Sequence, residues 1–149
     1  MSVDCVVDAS VAIKLFLIEP LAGQADAFFA ALAEDPGTRF YVPDLLYIEC
    51  TNILTKYVRW HAYPLEDAER DLDNLLRLPL YAVPARDVAQ DAIALAAAHG
   101  VSAYDAAYVA LGRRLLLPVV TADETLVHRL AGSGLDVRWL GDWPQSTGR

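Results

Sequence analysis

Val3-Asp4-Cys5-Val6-Val7-Asp8-Ala9-Ser10 is the stretch on which the reading of the fold turns. An apolar run of strand length ends in an acid, and small and polar residues lead on into helical periodicity. That is how a buried strand hands over to a helix. The pattern recurs near the other end of the chain as Pro118-Val119-Val120-Thr121-Ala122-Asp123. Val3–Val7 thus reads as a first strand, with a helical stretch around Val11–Leu17.

Outward from there, a second helix pattern runs from Leu21 to Ala33 and is closed by Pro36-Gly37. Phe40-Tyr41-Val42 is a short strand before Pro43. A long helix follows from Leu45 to Trp60, with Asp44 placed as its N-cap. Pro64 opens a helix from Leu65 to Leu78, whose outer face carries Glu66, Asp67, Glu69, Arg70, Asp71 and Asp73, a charge run read as solvated surface. Leu80–Val83 is the third strand, and Ala85–His99 is an alanine-rich helix ended by Gly100. Ser102 starts a helix reaching Leu115. Pro118–Thr121 is the fourth strand, Glu124–Ala131 a short helix and Val137–Leu140 the fifth strand. Buried Val-rich strands alternating with helices indicate an α/β fold, a parallel sheet covered by helices on both faces. There is no internal repeat and no linker between domains. The expected division is one domain over residues 1–141 and a tail over 142–149, ending in the polar Gln145-Ser-Thr-Gly-Arg149.

The chain has 149 residues, 55% of them hydrophobic, with mean hydropathy +0.27. No apolar block approaches the ~20 residues of a membrane span, and the amino terminus lacks the basic flank of a signal peptide. Cys5 and Cys50 both sit in apolar runs, as reduced thiols of a cytoplasmic protein do; a disulfide between them is the alternative, with no sequence feature in its favour, and no zinc spacing is present. A net charge of −8 argues against a protein that grips phosphates with its own basic surface. An acidic protein can still act on phosphodiesters when its acids hold divalent cations, because the cation reverses the local field.

In an open α/β sheet, ligands bind beyond the carboxyl ends of the strands. Asp8 ends the first strand, Asp123 follows the fourth, and Asp105 lies in the first turn of the helix begun by Ser102. All three therefore fall at one sheet edge. Each also has a plain reading as helix capping: Asp8 or Ser10 for the first helix, Ser102 with Asp105 as a capping box, Asp123 for the short helix. Glu49 is different. It lies mid-helix beside Leu45, Leu46 and Ile53, with Asn52 one turn on. An unpaired carboxylate there costs several kcal/mol or takes up a proton. A surface ion pair to Lys56 or Arg59 would satisfy it, as would a metal ion shared with the other acids. Four clustered carboxylates repel one another unless one or two Mg²⁺ ions make ligands of them. Such ions can activate a water for in-line displacement at phosphorus. His61, His99 and His128 have no Ser or Cys nucleophile motif nearby to suggest a rival hydrolase.

The order Val-Val-Asp8-Ala-Ser10, Pro43-Asp-Leu-Leu-Tyr-Ile-Glu49-Cys-Thr-Asn52, Ser102-Ala-Tyr-Asp105-Ala-Ala-Tyr108 and Thr121-Ala-Asp123 resembles that of PIN-domain nucleases. More narrowly, it resembles the VapC toxins of bacterial toxin–antitoxin pairs. The resemblance runs from Val3 to about Trp139. It implies a three-layer α/β/α Rossmann-like sandwich with a five-stranded parallel sheet ordered 3-2-1-4-5. It implies Asp8, Glu49, Asp105 and Asp123 as catalytic metal ligands for Mg²⁺ or Mn²⁺, with Glu124 a competitor for the role of Asp123. Ser10, Asn52 and Thr121 are implied as supporting residues. The activity implied is endoribonuclease cleavage of RNA by metal-activated water. The partners implied are a small antitoxin and a second copy of the chain. Lys14, Lys56, Arg59, Arg86 and Arg113 are the candidate RNA contacts. A receiver domain wants a lysine near the last strands, but both lysines precede residue 57. A dehalogenase-type phosphatase wants an acid where Ser10 stands. A non-catalytic binding module on the same scaffold is the remaining alternative.

Overall fold

The computed structural model describes residues 3–144. Five parallel strands form one sheet in the order β3-β2-β1-β4-β5. They are β1 (Asp4–Val7), β2 (Arg39–Pro43), β3 (Tyr81–Val83), β4 (Val119–Thr121) and β5 (Val137–Trp139). The helices are α1 (Ala9–Ala12), α2 (Ala22–Glu34), α3 (Leu45–Trp60), α4 (Leu65–Arg77), α5 (Ala89–His99), α6 (Ala103–Leu115) and α7 (Glu124–Leu130). The result is the three-layer α/β/α sandwich with the expected strand order. Successive strands run outward from β1 to one side and then restart at β4 on the other. The crevice between β1 and β4 is therefore the switch point where α/β sheets bind ligands.

The central strands are the most buried because they carry the least polar sequence. Cys5, Val6 and Val7 of β1 and all three residues of β4 are buried. Val6 and Val7 pair with Val119 and Val120, and the Asp8 N–H donates to the Val120 carbonyl. That register sets Asp8 beside Thr121. The buried face continues into α6, where every residue from Ala106 to Gly112 is buried. Most are small, which lets the helix axis lie close to the sheet, and α6 packs on β1, β2 and β4. At the other side of the core, Phe28 stacks on Phe40 at 4.5 Å.

Several expectations need correcting at the level of local geometry. The first helical stretch begins at Ala9, two residues early, and tightens into a 3₁₀ turn over Ile13–Leu15. The helix expected over Ala85–His99 is broken. Ala85–Asp87 form a 3₁₀ turn, and Val88 (φ −111°, ψ 0°) is fully buried where the chain bends into α5. Asp44 does not cap α3 with its side chain: its own backbone is already helical, so the carboxylate cannot reach back to the first turn. Its Oδ1 accepts from the Ala85 N–H instead and ties β2 to the end of β3. Asp71 is not on the solvated face of α4; it is buried and accepts from the Tyr63 hydroxyl. The fifth strand stops at Trp139, because Leu140 opens a 3₁₀ turn through Asp142. The expected boundary at 141/142 falls inside that turn, and Trp143 meets Phe28 edge-on at 4.9 Å. Residues 145–149 lie outside the described residues. Cys5 and Cys50 are buried free thiols, pushed up to about 12 chiefly by burial. Among the described residues, no helix is long and apolar enough to cross a membrane.

Gly112 tests how tightly α6 is seated. A glycine inside a helix normally costs 0.5–1 kcal/mol relative to alanine, so Gly112→Ala would stabilise an open site. Here a Cβ would stand 2.6 Å from Val119 Cγ2 and 2.9 Å from the Leu117 carbonyl oxygen. Overpacking of that kind costs about 1–3 kcal/mol and outweighs the gain. Gly112→Ala is expected to lower the urea midpoint, and a raised midpoint would show that α6 is not close-packed on β4.

Candidate active site

Asp8 is the first residue beyond β1, and only 6% of it is exposed. Three donors converge on a single oxygen of its carboxylate, Oδ2: the Ser10 N–H at 3.4 Å, the Ser10 hydroxyl at 2.5 Å and the Thr121 hydroxyl at 3.1 Å. The hydroxyls are fixed in turn, since Ala122 N–H donates to Ser10 Oγ and Asp123 N–H to Thr121 Oγ1. One end of the carboxylate is thus clamped between the β1 and β4 loops, while Oδ1 accepts no hydrogen bond among the described residues. Burial pushes the Asp8 carboxyl up to about 6. The Ser10 and Thr121 hydrogen bonds oppose that shift, and the charge of Asp105 adds to it.

Glu49 sits on α3, half-buried, and its Oε1 accepts from the Tyr108 hydroxyl at 2.8 Å. The alternative of a surface ion pair is not realised: among the described residues no ion pair involves Glu49. Burial lifts its carboxyl to about 7 against the Tyr108 hydrogen bond, with further lift from Asp8 and Asp105. Asp105, in the first turn of α6, is raised by burial and then by Asp123, while Ser102 pulls it down. These couplings link the four acids in a chain from Glu49 through Asp8 and Asp105 to Asp123. The four acids expected from the sequence thus stand within electrostatic reach of one another, each coupled to at least one of the others.

The capping readings are realised for Asp8, Ser102 and Asp123, while among the described residues the Asp105 carboxylate does not complete the capping box to the Ser102 N–H. Asp8 accepts from Ser10 N–H, Ser102 Oγ from Asp105 N–H, and Asp123 Oδ1 from Leu126 N–H at 3.2 Å. Glu124 turns aside, its carboxylate 3.9 Å from His128 on the exposed face of α7. Asn52 lies exposed one turn beyond Glu49 and makes no hydrogen bond among the described residues.

The basic candidates spread widely. Lys14 is held in an ion pair with Glu19, its side chain 11% exposed. Arg113 lies about 12 Å along α6 from Asp105, toward the opposite sheet edge. Lys56 and Arg59 are exposed further along α3, and Arg86 in the turn after β3. Two neighbours of the site carried no assignment from sequence. Arg129 of α7 donates to the Gly100 carbonyl at 2.6 Å and, with Ser102, Asp105 and Asp123, lines a cleft of about 210 Å³. A basic residue in a last helical turn gives no signal for this. Tyr108 did give one: it follows Asp105 by three residues and so shares its face of α6.

Asp8, Glu49 and Asp105, each raised by burial and by a neighbouring acid, form with Asp123 an all-oxygen donor set, which suits a hard divalent cation. Among the described residues no three acidic, histidine or cysteine side chains stand close enough to hold an ion as they are. Closing on one would therefore take side-chain rotation within the cluster.

The family model of the PIN domain matches residues 5–132. Ribonuclease VapC3 of Pyrobaculum aerophilum is 33% identical over 130 residues, covering 83% of this chain and 92% of that protein. Among solved structures, PAE2754 from Pyrobaculum aerophilum superposes with a TM-score of 0.65 at 20% identity, covering 95% of this chain and 92% of its own. A toxin–antitoxin complex from Klebsiella pneumoniae gives 0.60 at 18% identity, covering 90% and 95%. At those identities the two structures speak to the fold.

The clustered acids make stability depend on pH in a definite direction. Asp8 moves from 3.8 in the unfolded chain to about 6 in the fold. Below 3.8 the group is protonated in both states and costs nothing; above about 6 it is ionised in both, and the full cost of the buried charge is felt. Glu49 acts in the same sense up to about 7. Metal-free protein is therefore expected to lose stability as pH rises from 4 to 7. Asp8→Asn, which keeps an acceptor for Ser10 and Thr121, should raise stability at pH 8 by about 3 kcal/mol and change little at pH 4. Chemical denaturation at the two pH values checks this, and equal effects at both would contradict it.

Proposed function

The chain belongs to the PIN domain family, and from that premise we propose that it is a metal-dependent endoribonuclease acting as the toxin of a toxin–antitoxin pair. The observation that carries the reading is the electrostatic chain of Glu49, Asp8, Asp105 and Asp123 at the switch point between β1 and β4. Such a concentration of unpaired acid is unfavourable in the free protein and has a use once a cation is bound. Identity to a ribonuclease over most of both chains supports the same activity.

In this reading Asp8, Glu49, Asp105 and Asp123 hold Mg²⁺ or Mn²⁺. A bound divalent cation supplies Lewis-acid polarisation of the phosphoryl oxygens and lowers the pKa of water. The chain's own residues do the positioning. Ser10 and Thr121 fix one oxygen of Asp8 and leave the other for the ion. Asp105 and Asp123 form the wall of the cleft that receives the RNA backbone, and Arg129 is the cation on that wall. The overall acidity keeps phosphates out unless the acids are neutralised, which makes RNA binding itself depend on the cation.

The partners proposed are a small antitoxin and a second copy of the chain. Exposed Ile48, Trp60 and Leu65 on α3 and the start of α4 supply apolar surface for them. The solved relative from Klebsiella pneumoniae is a toxin–antitoxin complex, and the same kind of partner is carried to this chain by analogy.

RNA cleavage by the purified protein with Mg²⁺ is the direct test. Asp105→Asn should lower it by on the order of 100-fold or more, since even partners outside the ligand set commonly cost 10–100-fold. EDTA should abolish it and excess Mg²⁺ restore it. Millimolar Mg²⁺ should raise the Tm of the wild type at pH 8, and that of Asp105→Asn far less. Cleavage that survives both EDTA and Asp105→Asn would overturn the metal mechanism.

A further inference from the structure

The Tyr108 side chain has no exposure to solvent, yet it carries a hydroxyl. A buried tyrosine hydroxyl needs a partner, and leaving one unsatisfied costs about 1–3 kcal/mol. Among the described residues its hydrogen bond goes to Glu49 Oε1 alone. Glu49 has the greater need. Asp8 and Asp123 are short side chains at helix starts, where backbone N–H groups hold them. Glu49 is mid-helix, where no free N–H exists. Its longer side chain has more rotamer freedom to lose, and the charges of Asp8 and Asp105 push against it. Unanchored, the half-exposed carboxylate would turn toward water.

We propose that Tyr108 is the positioning residue of the acidic site: its buried hydroxyl pins Glu49 Oε1, which holds the carboxylate in the cluster with Oε2 left for a divalent cation. This rests on the reading of the four acids as a metal centre. The hydroxyl replaces the cap that a mid-helix acid cannot have. Because Tyr108 follows Asp105 by one turn, a single helix both presents one acid and fixes another from α3. The ring contributes packing, and only the hydroxyl reaches the site, so Tyr108→Phe separates the two roles.

The experiment measures Mn²⁺ binding to the full chain by electron paramagnetic resonance of the free ion, for wild type, Tyr108→Phe, Glu49→Gln and the double variant, with circular dichroism to check folding. Tyr108→Phe is expected to bind Mn²⁺ about tenfold more weakly. It should also lower kcat on RNA with KM unchanged. The double variant should bind no more weakly than Glu49→Gln alone, because the hydroxyl acts through that carboxylate. If Tyr108→Phe loses thermal stability but binds Mn²⁺ as the wild type does, the proposal is overturned and the hydroxyl is a packing contact. An undiminished effect of Tyr108→Phe in the Glu49→Gln background overturns it too. A wild type that binds no Mn²⁺ removes the metal centre itself and the proposal with it, an outcome distinct from the other two.

Discussion

The carboxylate of Asp8 is taken out of water at the end of the most buried strand pair, and much of the structure follows from how that is tolerated. A lone buried charge would draw a proton or open the edge of the sheet. Three donors meet it on Oδ2, two of them hydroxyls supplied by Ser10 and Thr121 from the two loops that flank the crevice. Those hydroxyls accept from Ala122 and Asp123 N–H, so the loop after β4 is shaped by the need to hold the acid after β1. The parallel register of Val6 and Val7 with Val119 and Val120 makes that meeting possible.

Capping and ligation looked like competing explanations for the aspartates, and the geometry makes them compatible. Asp8 spends one oxygen on its donors, and Asp123 spends Oδ1 on the Leu126 N–H. A carboxylate has two oxygens, so among the described residues each keeps one outside these hydrogen bonds. Capping thereby does the work of preorganisation: the backbone of a helix start sets the side chain's direction before anything binds. Short acids at helix starts suit a site at the carboxyl edge of a parallel sheet for this reason. Glu49 falls outside that scheme and depends on a side chain for its anchor.

The sheet, its parallel sense and the positions of Asp8, Asp105 and Asp123 were legible because they rest on strong, short-range signals: β-branched runs, an acid at a strand end, Ser102 three residues before Asp105. The strand order came with the family resemblance rather than from any pattern in the residues. What escaped was decided by contacts distant in sequence. Asp44 looked like a cap, but its partner Ala85 lies 41 residues away. Asp71 looked like one more surface charge until Tyr63 folded over it. The break at Val88 follows from the burial of one residue, which alanine-rich periodicity on either side concealed. Tyr108 was in plain view within the motif, but its partner stands 59 residues earlier, on another helix.

Asp105, Tyr108 and Gly112 are spaced by three and four residues along α6, so all three fall on one stripe of the helix. The first faces the cleft, the second anchors an acid from α3, and the third lets the helix lie against β4. Each residue added or removed between Asp105 and Gly112 would turn one end of the stripe about 100° against the other. No neighbouring loop could absorb that error, since the helix itself is the ruler. The length of this interval is therefore inelastic.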